Sequence, residues 1–273
     1  MDSYTSKVAV ITGASRGIGY NVAKALVERG SYVVIGDLLE KEGEAAVKEF
    51  NDRAGRQVAI YLHTDVTKYK DSIALFALAE KTFGGVDIAI LNAGIAGRYS
   101  GGLFTPLDDR EDMHIHEVNV GGVVKGNKVA LLHMAKSGKG ANNVKIHDSN
   151  IAAYCATKHA IVGWTKSLVG LQGVANIRAN ADVDNQFQQQ YFETVPKTSM
   201  EYVVQSFLRC IEDTDLIGEV LLALPDGVQV QDKYILPECC FTPEFMEQAP
   251  IFTEAGEQLA KEKLAKAIKA ANI

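Results

Sequence analysis

Short runs of apolar, β-branched residues alternate with longer stretches of helical period along most of the chain. The runs 7–12, 32–36, 57–63, 86–92, 143–147, 177–181 and 219–223 read as strands, each apolar enough for burial on both faces. Between them, 19–29, 40–53, 69–83, 115–134, 153–171 and 199–212 read as helices. This alternation predicts βαβ units feeding one parallel sheet: an α/β, doubly wound, seven-stranded domain over 1–236. Internal repeats, low-complexity segments and linkers that would set off a second domain are not apparent. Residues 237–273 leave the alternation as a C-terminal extension ending in an Ala/Lys/Glu-rich helix, AGEQLAKEKLAKAIKAANI. Its sparse apolar positions, Leu259, Leu264 and Ile268, suit packing on the body or on a second subunit.

Candidate chemistry begins right after the first strand, at Thr12-Gly13-Ala14-Ser15-Arg16-Gly17-Ile18-Gly19, followed by the helical run NVAKALVERG. A glycine-rich turn between strand and helix lets backbone N–H groups and the positive helix end approach a pyrophosphate. The second strand ends in Asp37, whose separation from Gly19 is near that expected of a carboxylate on the adenosine ribose. This is a Rossmann-type arrangement. A carboxylate there accepts ribose hydroxyls and repels a 2′-phosphate, and Leu38 follows it in place of a basic residue, which favours NAD(H) over NADP(H). Arg16 pulls the other way, since a guanidinium pairs well with a 2′-phosphate.

Spaced as TGxxxGIG, these glycines resemble the short-chain dehydrogenase/reductase family, and the match runs along most of the chain. Asp65-Val66 is similar to the family's adenine contact, and Asn92-Ala93-Gly94 to the motif that braces sheet and cofactor. Asn119 in HEVNVGG sits where the family places its helix-kinking Asn, and Tyr154-Cys155-Ala156-Thr157-Lys158 resembles its YxxxK signature. YCATKHAIVGWTKSL and the late segment FLRCIEDTDLIGEVLLALPDGVQVQD look most like the 15-hydroxyprostaglandin dehydrogenase branch. The resemblance implies cofactor contacts from Gly13, Ser15, Arg16, Gly17, Ile18, Gly19, Asp37, Asp65, Val66, Asn92, Ala93, Gly94, Tyr154 and Lys158. It also implies that Lys158 holds the nicotinamide ribose, that Asn119 anchors a water in a proton relay, and that the chain forms a homodimer or homotetramer.

Tyr154 and Lys158, four apart on a helix, share one face, and an ammonium near a phenol favours its ionised form. Such a tyrosine takes a hydroxyl proton as hydride leaves the substrate carbon, or returns it in reduction. The expected small-molecule substrate is a secondary alcohol or its ketone, selected by loops at 96–112 and 182–198 and by the tail.

Two departures from the family pattern fall near this chemistry. Stepping back from Tyr154 by the family's serine-to-tyrosine spacing reaches Ala141, so the family serine is not in its place. Ser149 is the nearest hydroxyl, with His147 and Asn150 as other donors, so the connecting loop reads as shortened. After the sixth strand, IRANADVDNQF replaces a run that in the family contains Pro-Gly, and it brings in Asp182 and Asp184. Three accounts follow: an alcohol/ketone oxidoreductase with a compact loop, a repurposed enzyme acting on an already activated substrate such as an iminium, or a dinucleotide-binding pseudoenzyme.

Charge narrows the partners. Lys plus Arg total 28 against 34 Asp plus Glu, a formal charge of −6, which argues against nucleic acid or an anionic membrane as main partner. No apolar run is long enough to cross a membrane. Cys155, Cys210, Cys239 and Cys240 lack CxxC spacing, fitting reduced thiols in the cytoplasm. No metal site is expected: His114 and His116, two apart, do not share a helix face. Trp164 reads as core or subunit interface.

Overall fold

A computed structural model describes residues 4–95, 109–137, 141–146, 160–163, 165, 171–184, 198–217, 219–231, 258 and 261–270 of the 273. Its strands are β1 Val8–Thr12, β2 Tyr32–Asp37, β3 Ala59–His63, β4 Ile88–Leu91, β5 Ala141–Ile146, β6 Arg178–Asp184, β7 Val220–Leu224 and β8 Gly227–Val230. They form one sheet ordered β3-β2-β1-β4-β5-β6-β7-β8, in which the first seven strands run parallel. The sheet therefore gains an eighth strand beyond the seven expected. β8 folds back antiparallel on β7 across the turn at Pro225 and Asp226, with Leu224 opposite Gly227.

Helices α1 Gly17–Glu28, α2 Glu40–Ala54 and α3 Tyr69–Phe83 make the first crossovers. The single helix expected over 115–134 is instead three pieces: α4 Asp109–His116, a π-helical segment Glu117–Gly122, and α5 Val123–Ser137. After them come α6 Leu171–Ala175 and α7 Met200–Glu212, and residues 261–270 of the tail are helical. Ser199 caps α7, its Oγ accepting the Tyr202 N–H at 3.2 Å.

Strand alternation splits the core between the two sheet faces. Ala9, Ile11, Val33 and Ile35 pack with Val22, Leu26, Phe50 and Phe207 on one side. Val8, Val10 and Val34 pack with Leu75, Phe76, Val129 and Met134 on the other. All five residues of β1 are buried, as expected of a central parallel strand. β3 is not buried on both faces: only its Ala59 is fully covered, because β3 is the edge of the sheet.

At the amino end of β6, the Arg178 guanidinium caps α7. Its Nη1 donates to the carbonyls of Cys210 at 3.2 Å and Asp213 at 2.6 Å, and its Nη2 to that of Ile211 at 3.2 Å. These carbonyls lie in the last turn of the helix and at its C-cap. Two residues on, Asn180 donates from Nδ2 to the Leu216 carbonyl and accepts the Glu219 N–H at Oδ1, both at 3.1 Å.

Candidate functional site

From β1 the chain steps outward to β2 and β3, then returns to β4 on the other side of β1. The crevice beyond the carboxyl ends of β1 and β4 is thus the switch point where open α/β sheets place ligands. Thr12 lies opposite Gly36 and Leu91, and Asp37 opposite His63, so Gly13, Asp37, Thr64 and Asn92 emerge side by side along this edge.

The glycine turn is built for close approach. Gly13 has φ +69°, and a Cβ on it would stand 2.7 Å from the Ala93 Cα. Gly19 is as tight, since a Cβ there would lie 2.4 Å from the Gly13 carbonyl oxygen. Gly17, at φ +63°, differs: a Cβ on it meets nothing within 4 Å. Arg16, the N-cap of α1, is extended and exposed and gives the first N–H groups of α1 no side-chain cap. An open space at Gly17 in front of uncapped N–H groups fits a phosphate group. Ile18 is buried and roots the helix in the core.

Asp37 ties the turn to the end of β2. Its Oδ2 accepts the Ser15 N–H at 3.0 Å and its Oδ1 the Leu39 N–H at 3.1 Å, and the Ser15 hydroxyl donates to the Leu39 carbonyl at 3.1 Å. Two of the carboxylate's roughly four acceptor positions remain, suited to a ribose diol. Beneath it, the Tyr61 hydroxyl donates to the Asp37 carbonyl at 2.8 Å. Burial, with help from the carboxylates of Asp37 and Glu40, pushes the Tyr61 pKa up to about 12. Gly43 of α2 admits this ring, since a Cβ there would come within 2.3 Å of it.

Asn92 braces the sheet: its Nδ2 donates to the carbonyls of Thr12 at 3.1 Å and Gly13 at 2.9 Å, while the Ala93 N–H donates to Thr12 Oγ1 at 3.2 Å. Asn119, buried in the π-helical segment, pairs with the backbone of Ile95 in both directions. Gly94 lies against it, its missing Cβ 3.3 Å from Asn119 Oδ1. π-helical turns concentrate at functional sites.

Asp65 opens a tightly bonded turn. Its Oδ1 accepts the Thr67 N–H at 3.0 Å and the Thr67 hydroxyl at 2.7 Å, and its Oδ2 lies 2.9 Å from Lys68 Nζ. Partial burial raises its pKa, but the bonds from Thr67 and Lys68 outweigh that and hold it at about 2. Hydrogen bonding to Asp65 raises the Lys68 pKa in turn. Val66 packs where Gly122 leaves space, 2.7 Å from a Cβ built there, and Lys125 Nζ donates to the Thr67 carbonyl at 2.6 Å.

The structure thus gathers Gly13, Ser15, Arg16, Gly17, Ile18, Gly19, Asp37, Asp65, Val66, Asn92, Ala93, Gly94 and Asn119 along one sheet edge. Tyr154, Lys158 and Ser149, with His147, Asn150 and Trp164, lie outside the described residues, as do Cys155, Cys239 and Cys240. Ala141 is the first residue of β5, opposite Ile88 and Arg178 at the end of the sheet away from the crevice. Counting back from Tyr154 by the family's spacing therefore reaches the wrong end of the strand. Asp182 and Asp184 belong to β6, opposite Leu221 and Ala223 of β7. His114 and His116 sit on α4, His114 with its Nδ1 3.8 Å from Glu117. Among the described residues no helix is long and apolar enough to cross a membrane. Sequence reasoning passed over Thr67, Lys68 and Lys125, although Asp-x-Thr is a recognisable side-chain turn signal.

Residues 7–183 match the profile of the short chain dehydrogenases. The trans-4-hydroxycyclohexanecarboxylate dehydrogenase of Sinomonas cyclohexanicum is 37% identical over 189 residues, 66% of this chain and 72% of that one. The 3-alpha-(or 20-beta)-hydroxysteroid dehydrogenase of Mycobacterium bovis is 33% identical over 181 residues, 64% of this chain and 66% of that one. Among solved structures, the 3-ketoacyl-(acyl-carrier-protein) reductase from Brucella melitensis, complexed with NADH, superposes with a TM-score of 0.72 at 25% identity. That match covers 81% of this chain and 98% of the reductase. The fold and the sheet-edge site define a dinucleotide-binding oxidoreductase, and the chain belongs to the short chain dehydrogenase family.

Proposed function

We propose that the protein is an NAD(H)-dependent oxidoreductase interconverting a small secondary alcohol and its ketone. The observation that carries this reading is Asp37, fixed by the N–H groups of Ser15 and Leu39 beside a turn whose Gly17 faces open space. That carboxylate suits a free ribose diol and repels a 2′-phosphate, which favours NAD(H) over NADP(H). When bound, the nicotinamide supplies or accepts the hydride. The chain's own residues do the rest. Gly13, Ser15, Arg16, Gly17, Ile18 and Gly19 shape the pyrophosphate cradle, Asp65 and Val66 border the base, and Asn92, Ala93 and Gly94 brace the turn. Tyr154 serves as the acid/base, Lys158 lowers its pKa and holds the ribose, Asn119 positions the relay, and Ser149 orients the substrate oxygen. Relatives named as dehydrogenases of a hydroxylated carboxylate and of hydroxysteroids, and a neighbour complexed with NADH, support this assignment. In the same reading, residues 1–236 are one domain and 237–273 an extension, and the protein works in the cytoplasm as a homodimer or homotetramer.

One observation favours a second reading. The family's spacing reaches Ala141, which carries no hydroxyl and lies at the far end of β5, and an iminium carbon accepts hydride without a hydroxyl to polarise it.

Calorimetry with NADH, NADPH and ADP-ribose tests the assignment. NADH is expected to bind at least about tenfold tighter than ADP-ribose, roughly 1.4 kcal/mol, and tighter than NADPH. Equal binding of NADH and ADP-ribose would mean that the nicotinamide has no formed pocket, and the protein would then be a binding protein only.

A further inference from the structure

Three glycines seat the helical run that carries Asn119. Gly94 leaves room for the Asn119 amide, Gly122 for Val66, and Gly126 of α5 for Leu91, whose Cδ2 would stand 2.7 Å from a Cβ built there. These contacts set how closely the helix approaches the sheet, and directional bonds fix its rotation. One such bond crosses from α5 to the turn after β3: Lys125 Nζ donates to the Thr67 carbonyl at 2.6 Å, with its ammonium 5.9 Å from the centre of the Tyr69 ring.

The Thr67 end of that bond is the anchored one. Thr67 gives its N–H and its hydroxyl to Asp65 Oδ1, and the Asp65 N–H goes to Asp71 Oδ2 at 3.0 Å. The helix end is the one with an alternative, because it follows the π-helical segment Glu117–Gly122. Were that segment to close with ordinary α-helical bonds, the chain on its two sides would rotate by about one residue, ~100°. Asn119 could not then keep both bonds to Ile95 while Gly122 and Gly126 stay on Val66 and Leu91. With Asp37 at the end of β2 taking the adenosine ribose, β3 lies on the base side and β4 across β1 on the other, so Ile95 and Asn119 border the nicotinamide half.

We propose that Lys125 is a positioning residue: its bond to Thr67 fixes the rotation of α5 past the π-helical turn and so holds Asn119 and Ile95 in place beside the nicotinamide half, although the bond itself is made on the base side. The effect on the nicotinamide rests on the dinucleotide reading above, and the placement of Asn119 does not. Wild type, Lys125→Met and Lys125→Arg are compared by amide hydrogen exchange and by calorimetric titration with NADH and ADP-ribose. In Lys125→Met the Ile95 amide is expected to exchange at least about tenfold faster while the Val10 amide of β1 keeps its rate. NADH is expected to bind about fivefold weaker in that variant, with ADP-ribose held within about twofold. Lys125→Arg, which keeps a donor, is expected to restore both. A Lys125 that only steadies the Thr67 turn would weaken ADP-ribose as much as NADH, and that unchanged ratio overturns the proposal. So does an unchanged Ile95 rate, or an equal acceleration at Ile95 and Val10. Wild-type protein that binds neither NADH nor ADP-ribose sinks the dinucleotide reading instead, and the Ile95 rates then decide the placement of Asn119 alone.

Discussion

Asn119 holds Ile95 by both sides of its backbone: its Oδ1 accepts the Ile95 N–H and its Nδ2 donates to the Ile95 carbonyl, each at 2.9 Å. This pair links the π-helical segment to the chain leaving β4, one residue past Gly94. Asn119→Ala strips both bonds from a buried position, and a loss of about 1–3 kcal/mol is expected from urea unfolding. An unchanged midpoint would show that the pair contributes nothing net.

Gly13 and Gly17 share a left-handed backbone but not a neighbourhood. An alanine at either carries roughly 1–2 kcal/mol of backbone strain. Gly13→Ala also drives a methyl into the backbone of Ala93 and is expected to lose clearly more stability. Gly17→Ala should remain folded with stability reduced by the strain alone, yet lose NADH affinity, because its methyl occupies the open space of the cradle. Thermal unfolding and calorimetry on both variants separate the two effects.

Asp65 makes stability depend on acid. Its pKa is held at about 2 in the fold against 3.8 for the unperturbed group, so the folded chain binds its proton less readily than the unfolded chain. The stabilisation is complete above about pH 4 and is lost as the pH falls toward 2, with a magnitude on the order of 1–2 kcal/mol for this partly exposed group. Unfolding free energies of wild type and Asp65→Asn should therefore converge between pH 4 and 2. A gap that stays constant over that range would trace the effect to something other than the carboxylate charge.

Gly43, Tyr61 and Ser15 form a stack under Asp37, with the missing Gly43 Cβ 2.3 Å from the ring and 2.9 Å from Ser15 Oγ. Gly43→Ala is expected to cost about 1–3 kcal/mol by overpacking. Combined with Tyr61→Leu, it should cost less than the sum of the two changes, since the ring that it strikes is gone. Additive losses in urea unfolding would show that α2 shifts as a whole.

The strands were legible because burial imposes apolar runs: the VAVIT of β1 admits no other element next to a glycine turn. The edge of the sheet was less so, since β3 shares the β-branched pattern while its outer side faces water. β8 escaped notice although Pro225-Asp226-Gly227 between two apolar runs is a hairpin signal. The π-helical turn changes hydrogen bonding without changing the apolar period, so 115–134 read as one helix. At the site, Gly13, Asp37 and Asn92 followed from their places after strands. The Asp65–Lys68 pairing did not, because it depends on how one turn closes on itself.

Arg178 and Asn180 fasten β6 at its amino end, through α7 and the approach to β7. The strand is held in register from its base, so sequence drift at its tip does not have to be matched by repair of the scaffold. Such an arrangement lets the segment beyond the strand vary while the foundation goes on folding as before.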